Sequence, residues 1–356
     1  MPGLPAGRGG GVSGRGRSIT PPERGAESPP NSGQARPTHT AAPLAVWAAL
    51  VAIYLIWGST YLGIRIAVET IPPFLMASIR FLLAGAALYA WSCLRAGAIL
   101  RPTRREWRDS AIVGAALLGG GMGMVAWGEQ TVPSGVAALL VALMPAWVAV
   151  FGRAIFGDRL PRLVLLGIAV GLVGVALLAW PTDTGRIDPA GLIALLVSSM
   201  SWSLGSLYSA RRARLPSLPL LATAMQMLLG GAVLGVAGML TGELGQLHTD
   251  AISTDSLAAL AYLILVGSFI GYTCYVWLLR SAPLALVSTY AYVNPVVAFV
   301  LGAAILGEPL TPRTLVASAV IVGAVALIVT GRAIGRPAGA PERLEPTAVG
   351  VGSAEV

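Results

Sequence analysis

The sequence predicts an all-α polytopic membrane protein of about ten transmembrane helices, built as two inverted five-helix repeats. Three observations carry that prediction. Hydrophobic residues make up 55% of the chain and charged residues 11%, with mean hydropathy +0.75, whereas a soluble domain carries about 25% charge. The apolar residues fall in long continuous runs rather than alternating, which excludes a β-barrel and leaves helices as the way to satisfy the backbone in lipid. Finally, the second half repeats the first. A shift of 150 positions (277 − 127) lays Trp127 on Trp277, Pro133 on Pro283, Pro145 on Pro295, Gly152 on Gly302, Gly157 on Gly307 and Asp158 on Glu308. An odd number of spans in each half forces the second copy into the opposite orientation. Such inverted repeats place a transporter's substrate site near the bilayer midplane, where the two copies meet.

The elements follow in order. Residues 1–43 are rich in Gly, Pro, Ser and Arg, with almost no large apolar residue after Leu4. They cannot bury enough surface to fold and are expected to be a disordered tail; no short apolar stretch with a small-residue cleavage site marks a signal peptide. A hydrocarbon core about 30 Å thick needs roughly 20 helical residues. Runs of that kind lie near 44–64, 74–94, 110–128, 134–153 and 163–180 in the first repeat (44–181). In the second (189–332) they lie near 189–209, 218–240, 257–279, 284–306 and 313–332. Residues 333–356 are a second polar tail. Pro133 and Pro283 suit the first turns of the fourth and ninth spans, while Pro145 and Pro295 lie near mid-span and predict kinks or gates there.

All 24 basic residues are arginine, and their distribution orients the chain. One set of loops holds Arg101, Arg104, Arg105 and Arg108, then Arg159 and Arg162, then Arg211, Arg212 and Arg214, then Arg280; the arginines of both tails fall on the same side. The alternate loops carry Glu69, Glu129, Asp183, Asp188, Glu243, Asp250, Asp255 and Glu308, with Arg186 the clear basic loop residue. Positive residues stay cytoplasmic, so both termini are predicted to be cytoplasmic, in a multi-pass protein of the bacterial inner membrane. The basic balance therefore serves orientation, and no nucleic-acid partner is expected.

The first span reads Tyr54-Leu55-Ile56-Trp57-Gly58-Ser59-Thr60-Tyr61, followed by Pro72-Pro73 and Arg80-Phe81. Gly128-Glu129-Gln130-Thr131-Val132-Pro133-Ser134-Gly135 joins the third and fourth spans, and Asn294-Pro295 precedes Gly307-Glu308-Pro309-Leu310. In this order within a five-plus-five pattern, the motifs resemble the EamA family of the drug/metabolite transporter superfamily, with the Gly-Glu-Gln hairpin most like its YedA-like branch. The resemblance covers about residues 44–332 and implies export or exchange of small metabolites, including amino acids and xenobiotics.

Candidate cavity residues follow from cost and depth. Arg80 lies inside the second span, where an arginine needs a partner or a cavity, the alternative being that it snorkels to the outer interface; Glu129 is its candidate partner, and Gln226 its repeat counterpart. Trp57, Tyr61, Trp202, Tyr272, Tyr290 and Asn294 offer ring faces and hydrogen bonds for an amphipathic solute, and Met122, Met124 and Met144 suit a permissive wall. Asp158 and Glu308, each after a glycine, suit capping or loop structure. Glycines in the third span (Gly114, Gly119, Gly120, Gly121, Gly123) allow close packing or a moving, cavity-lining surface, and those in the fifth (Gly167, Gly171, Gly174) suit plain packing.

Enzyme signatures are missing. Without lysine there is no P-loop; His39 and His248 lie apart from each other, and Cys93 and Cys274 lie within spans and define no metal or disulfide framework. No cofactor is expected. The residues predict an alternating-access carrier whose partners are the bilayer and a small solute, with the fifth and tenth spans bracing each half or forming a homodimer face. The alternative is a membrane receptor, scaffold or insertion factor that moves nothing.

Overall fold

The computed structural model describes residues 10–11, 43–180, 188–282, 284–287 and 289–334. Apart from residues 10–11, 43 and 333–334 the two tails thus lie outside the described residues, as do Asp183, Arg186, Pro283 and the side chain of Arg332; α10 runs two residues into the stretch expected as the second tail. Of Met1–Thr40, only Gly10 and Gly11 are described; everything that follows concerns Ala41–Val356.

Ten apolar helices are described there: α1 (Pro43–Ala67), α2 (Pro73–Ala96), α3 (Arg104–Gly128), α4 (Ser134–Phe156), α5 (Arg162–Ala179), α6 (Pro189–Arg211), α7 (Pro219–Leu240), α8 (Thr254–Ser281), α9 (Tyr290–Leu306) and α10 (Pro312–Ile334). Eight are long and apolar enough to cross a membrane, and α5 and α9 are shorter apolar helices. Short turns at Glu243–Gln246 and Leu284–Val287 precede α8 and α9.

Local chemistry sets the helix ends. Thr103 and Glu106 form a capping box, with Thr103 Oγ1 accepting from the Glu106 amide and the Glu106 carboxylate accepting from the Thr103 amide. That cap starts α3 six residues before the apolar run expected near 110, because its polar first turn has no hydropathy signal. Ser253 caps α8 in the same way, accepting from the Ser256 amide. Asp188 caps α6 through the Ala190 and Gly191 amides and also accepts from the Thr131 hydroxyl. These bonds hold its carboxyl below the ordinary aspartate range, the Thr131 bond contributing most.

Close contacts between the two repeats recur in related pairs. Gly85 of α2 lies against Leu228 of α7, and the pair shifted by 146 (231 − 85) is Gly231 against Leu82. Gly271 of α8 meets Trp57 of α1, as Gly121 of α3 meets Trp202 of α6. These close approaches supply van der Waals contact where lipid removes any hydrophobic drive between helices. The glycines of α5 are used this way: Gly167 and Gly174 lie against Ile328 and Ile321 of α10. Those of α3 mostly meet α6 and α7, Gly114 against the Gln226 carbonyl and Gly120 against Ser201.

Two features break helical regularity at matching depths. α3 is π-helical over Ala115–Met122 and α8 over Leu263–Ile270, the rare wide winding that recurs at functional sites. α4 is interrupted at Leu143, with Pro145 in the first turn of its second part. Pro295 behaves differently from Pro145: it sits inside α9, which continues through it.

Candidate functional site

Midway along the bundle, α1, α2, α3, α4, α6, α8 and α9 enclose a cavity of about 100 Å³. Trp57, Tyr61, Arg80, Trp202, Tyr272, Tyr290 and Asn294 line it together with Pro145, Thr60, Met122 and Met144. Residues separated by more than two hundred positions in sequence thus converge on one space.

Its aromatic wall is built around Trp57. That ring lies 5.4 Å from Tyr272, 5.0 Å from Tyr275 and 5.1 Å from Tyr290, the first and last edge-on. Edge-on pairs set the positive rim of one ring against the negative face of the next, so the cluster is directional as well as apolar. The α8 π-helix fixes the indole: Trp57 Nε1 donates to the Gly267 carbonyl at 3.3 Å. In the other repeat, Ser201 Oγ donates to the Ala116 carbonyl of the α3 π-helix at 2.8 Å. Each irregular helix therefore lends a main-chain acceptor to the helix opposite.

Arg80 supplies the charge. It is 3% exposed, donates through Nε to Ser268 Oγ at 3.0 Å, and lies over the Phe81 ring at 4.9 Å. The second π-helix thus holds both Trp57, through Gly267, and Arg80, through Ser268. No bond joins Arg80 to Glu129 among the described residues. Instead Glu129 lies at the end of α3, 0% exposed, with both carboxylate oxygens unbonded, and its main-chain carbonyl accepts from Arg65. Gln226 is buried in α7 against the backbone of α3, outside the cavity lining, and Pro295 is likewise absent from that lining.

Three lining atoms, Trp202 Nε1, Asn294 Oδ1 and the Tyr290 hydroxyl oxygen, are buried without a hydrogen-bond partner. The indole donates, the amide oxygen accepts and the phenol can do either, so with Arg80 the cavity presents four polar handles on an aromatic and methionine wall. Sequence reasoning missed Ser268 and Thr60. Ser268 has no signal of its own, because its role depends on the winding of α8.

At the arginine-poor end the two repeats close on each other. Glu308, after α9, accepts from the Ser134 amide at 2.8 Å, the Ser134 hydroxyl at 2.9 Å and the Gly135 amide at 3.5 Å, so it caps α4 across the repeat boundary. Its counterpart Asp158 shares the local geometry: both acidic residues donate their amides to a glycine carbonyl, Gly302 or Gly152. Yet Asp158 pairs with Arg211 at 2.6 Å.

A cavity at the meeting point of two inverted repeats, reached by an intramembrane arginine and an aromatic cage, is the architecture of a polytopic membrane transporter. Residues 44–180 and 189–330 match the EamA-like transporter family, and the chain belongs to that family. It is 42% identical to the uncharacterised inner membrane transporter YedA of Escherichia coli over 292 residues, covering 81% of this chain and 92% of that one. Protein PecM of Dickeya dadantii is 27% identical, over 77% of this chain and 88% of its own. A probable amino-acid metabolite efflux pump of Salmonella typhimurium is 24% identical, over 80% and 95%. A solved crystal structure aligns with TM-score 0.57 at 22% identity, covering 81% of this chain and 99% of that chain, a likeness of fold alone.

Proposed function

We propose that this transporter moves a small amphipathic organic solute, amino-acid-like in carrying an anionic group beside an apolar one, by alternating access in an inner membrane. The observation that carries the reading is the central cavity, where Arg80, Trp202 Nε1 and Asn294 Oδ1 face a cage of aromatic rings. A carboxylate matches the guanidinium, and an apolar side chain matches the ring faces. Relatives named for inner-membrane transport and for amino-acid metabolite efflux support the same class of solute and the direction of export or exchange. The Glu308–Ser134 bridge supports alternation: it joins α4 and α9 at the arginine-poor end, while the equivalent acid at the other end, Asp158, is turned to Arg211. Such a difference between repeat-related ends describes a carrier closed on one face.

The test is flux. Purified protein in liposomes loaded with a panel of radiolabelled amino acids and aromatic carboxylates should exchange at least one across the bilayer, saturably and without ATP. Saturable binding with no flux across the whole panel would make the protein a receptor or scaffold instead.

A further inference from the structure

The repeat symmetry also exposes a site that the protein fills with its own side chain at one end and leaves open at the other. At the arginine-poor end, the start of α2 is capped by Glu243, which follows α7. Its carboxylate accepts from the Phe74 amide at 3.1 Å and the Leu75 amide at 2.9 Å, and Glu243 is 4% exposed. An anion thus sits on a helix N-terminus, where free amides and the helix dipole favour it.

The shift that relates α2 to α7 (220 − 74) carries Phe74 and Leu75 onto Leu220 and Leu221, and Glu243 onto Gly97. Glycine has no carboxylate to offer. The start of α7 has no side-chain cap, and the Leu220 and Leu221 amides have no acceptor among the described residues. The surroundings have changed sign to match. The shift of 150 (280 − 130) puts Arg280 where the arginine-poor end has Gln130, and the shift of 146 (241 − 95) puts Arg95 where that end has Thr241.

Those residues form a cleft of about 430 Å³ among the end of α2, the start of α7 and the end of α8. Arg95 and Arg280 line it, with the half-exposed rings of Trp91 and Trp277 beside them and Phe269 deeper along the wall. Arg95 lies over the Trp91 ring at 5.3 Å. Tryptophans mark the headgroup level of a membrane protein, and paired arginines between spans on its basic side suit anionic headgroups.

We propose that this cleft binds an anionic phospholipid of the arginine-rich leaflet. Its phosphodiester takes the position that the Glu243 carboxylate fills at the arginine-poor end, between the two guanidiniums and the α7 amides, and its acyl chain runs along Phe269. The site is separate from the central cavity and does not depend on the solute proposed for it.

Native mass spectrometry and thermal melting of the full chain in neutral detergent test this, with added phosphatidylglycerol, phosphatidylcholine or inorganic phosphate. Phosphatidylglycerol should bind on the order of tenfold more tightly than phosphatidylcholine and raise Tm, while inorganic phosphate at the same concentration should do neither. The preference should vanish in Arg95→Gln with Arg280→Gln and persist in Arg101→Gln with Arg104→Gln, which alters charge outside the cleft. Leu218→Asp supplies a cap carboxylate of its own at the start of α7. It should remain folded without lipid and lose the response, which keeps the test open if the double arginine variant fails to fold. Equal binding of both lipids, or a preference surviving in Arg95→Gln with Arg280→Gln, overturns the site. An equal Tm rise with inorganic phosphate overturns the lipid as its occupant.

Discussion

Arg80 is the charged side chain of the central cavity, and its environment defines what replacing it does. The guanidinium is tied to Ser268 and stacked on Phe81 rather than paired with a carboxylate, so its positive charge remains available to a solute. Arg80→Ala should abolish flux in liposomes while leaving a monodisperse helical protein, and Arg80→Lys should restore part of it, because lysine keeps the charge but loses the planar fork. A charge swap, Arg80→Glu with Glu129→Arg, would rescue a simple ion pair. Since the two residues are not bonded to each other, the swap should stay inactive. Normal flux in Arg80→Ala would remove the arginine from the solute path and leave Trp57, Tyr290 and Asn294 to carry binding. At this scale the sequence was readable where depth in a span makes a residue costly: Arg80, Trp57 and Asn294 all reach the cavity. It was unreadable where the role is borrowed, as with Ser268, whose hydroxyl matters only because α8 turns it toward Arg80.

The helices show the same division between local and distant causes. Helix starts follow signals a few residues long, such as Thr103 with Glu106 or Ser253 with Ser256, although a hydropathy window overlooks them. The π-helical segments of α3 and α8 left only a trace, glycines or uniformly apolar residues, because a change of hydrogen-bond register has no composition of its own. The two repeat-related prolines also part company: Pro145 follows the interruption of α4, whereas Pro295 lies within an unbroken α9. For Glu308 the capping role was legible but its target, α4, was not, since donor and acceptor are 174 residues apart. That cap predicts its own variant. Glu308→Ala leaves the Ser134 and Gly135 amides without their acceptor and should cost about 1 kcal/mol of stability, the usual worth of a cap. It should also loosen the closed end. A single cysteine at Ala138, on the cavity side of α4, should then react faster with a membrane-impermeant thiol reagent added from that end. An unchanged labelling rate would mean that the bridge is a static cap with no part in closure.

At the scale of the whole molecule, the inverted repeat explains both the likeness and the difference of the two membrane faces. Contacts recur in pairs, Gly85 with Leu228 and Gly231 with Leu82, because both copies keep the same packing surfaces. Charges do not recur, because each copy meets opposite faces of the bilayer: Gln130 on one side answers Arg280 on the other, and Thr241 answers Arg95. The arginine bias predicts a definite topology, with Arg104 and Arg212 inside and Asp250 outside. In a background where Cys93 and Cys274 are replaced by alanine, a cysteine at Asp250 should react with an impermeant thiol reagent in intact cells. Cysteines at Arg104 and Arg212 should react only after the membrane is permeabilised. The reverse pattern would place the Glu308 bridge on the cytoplasmic face and reverse the side on which the proposed carrier is closed.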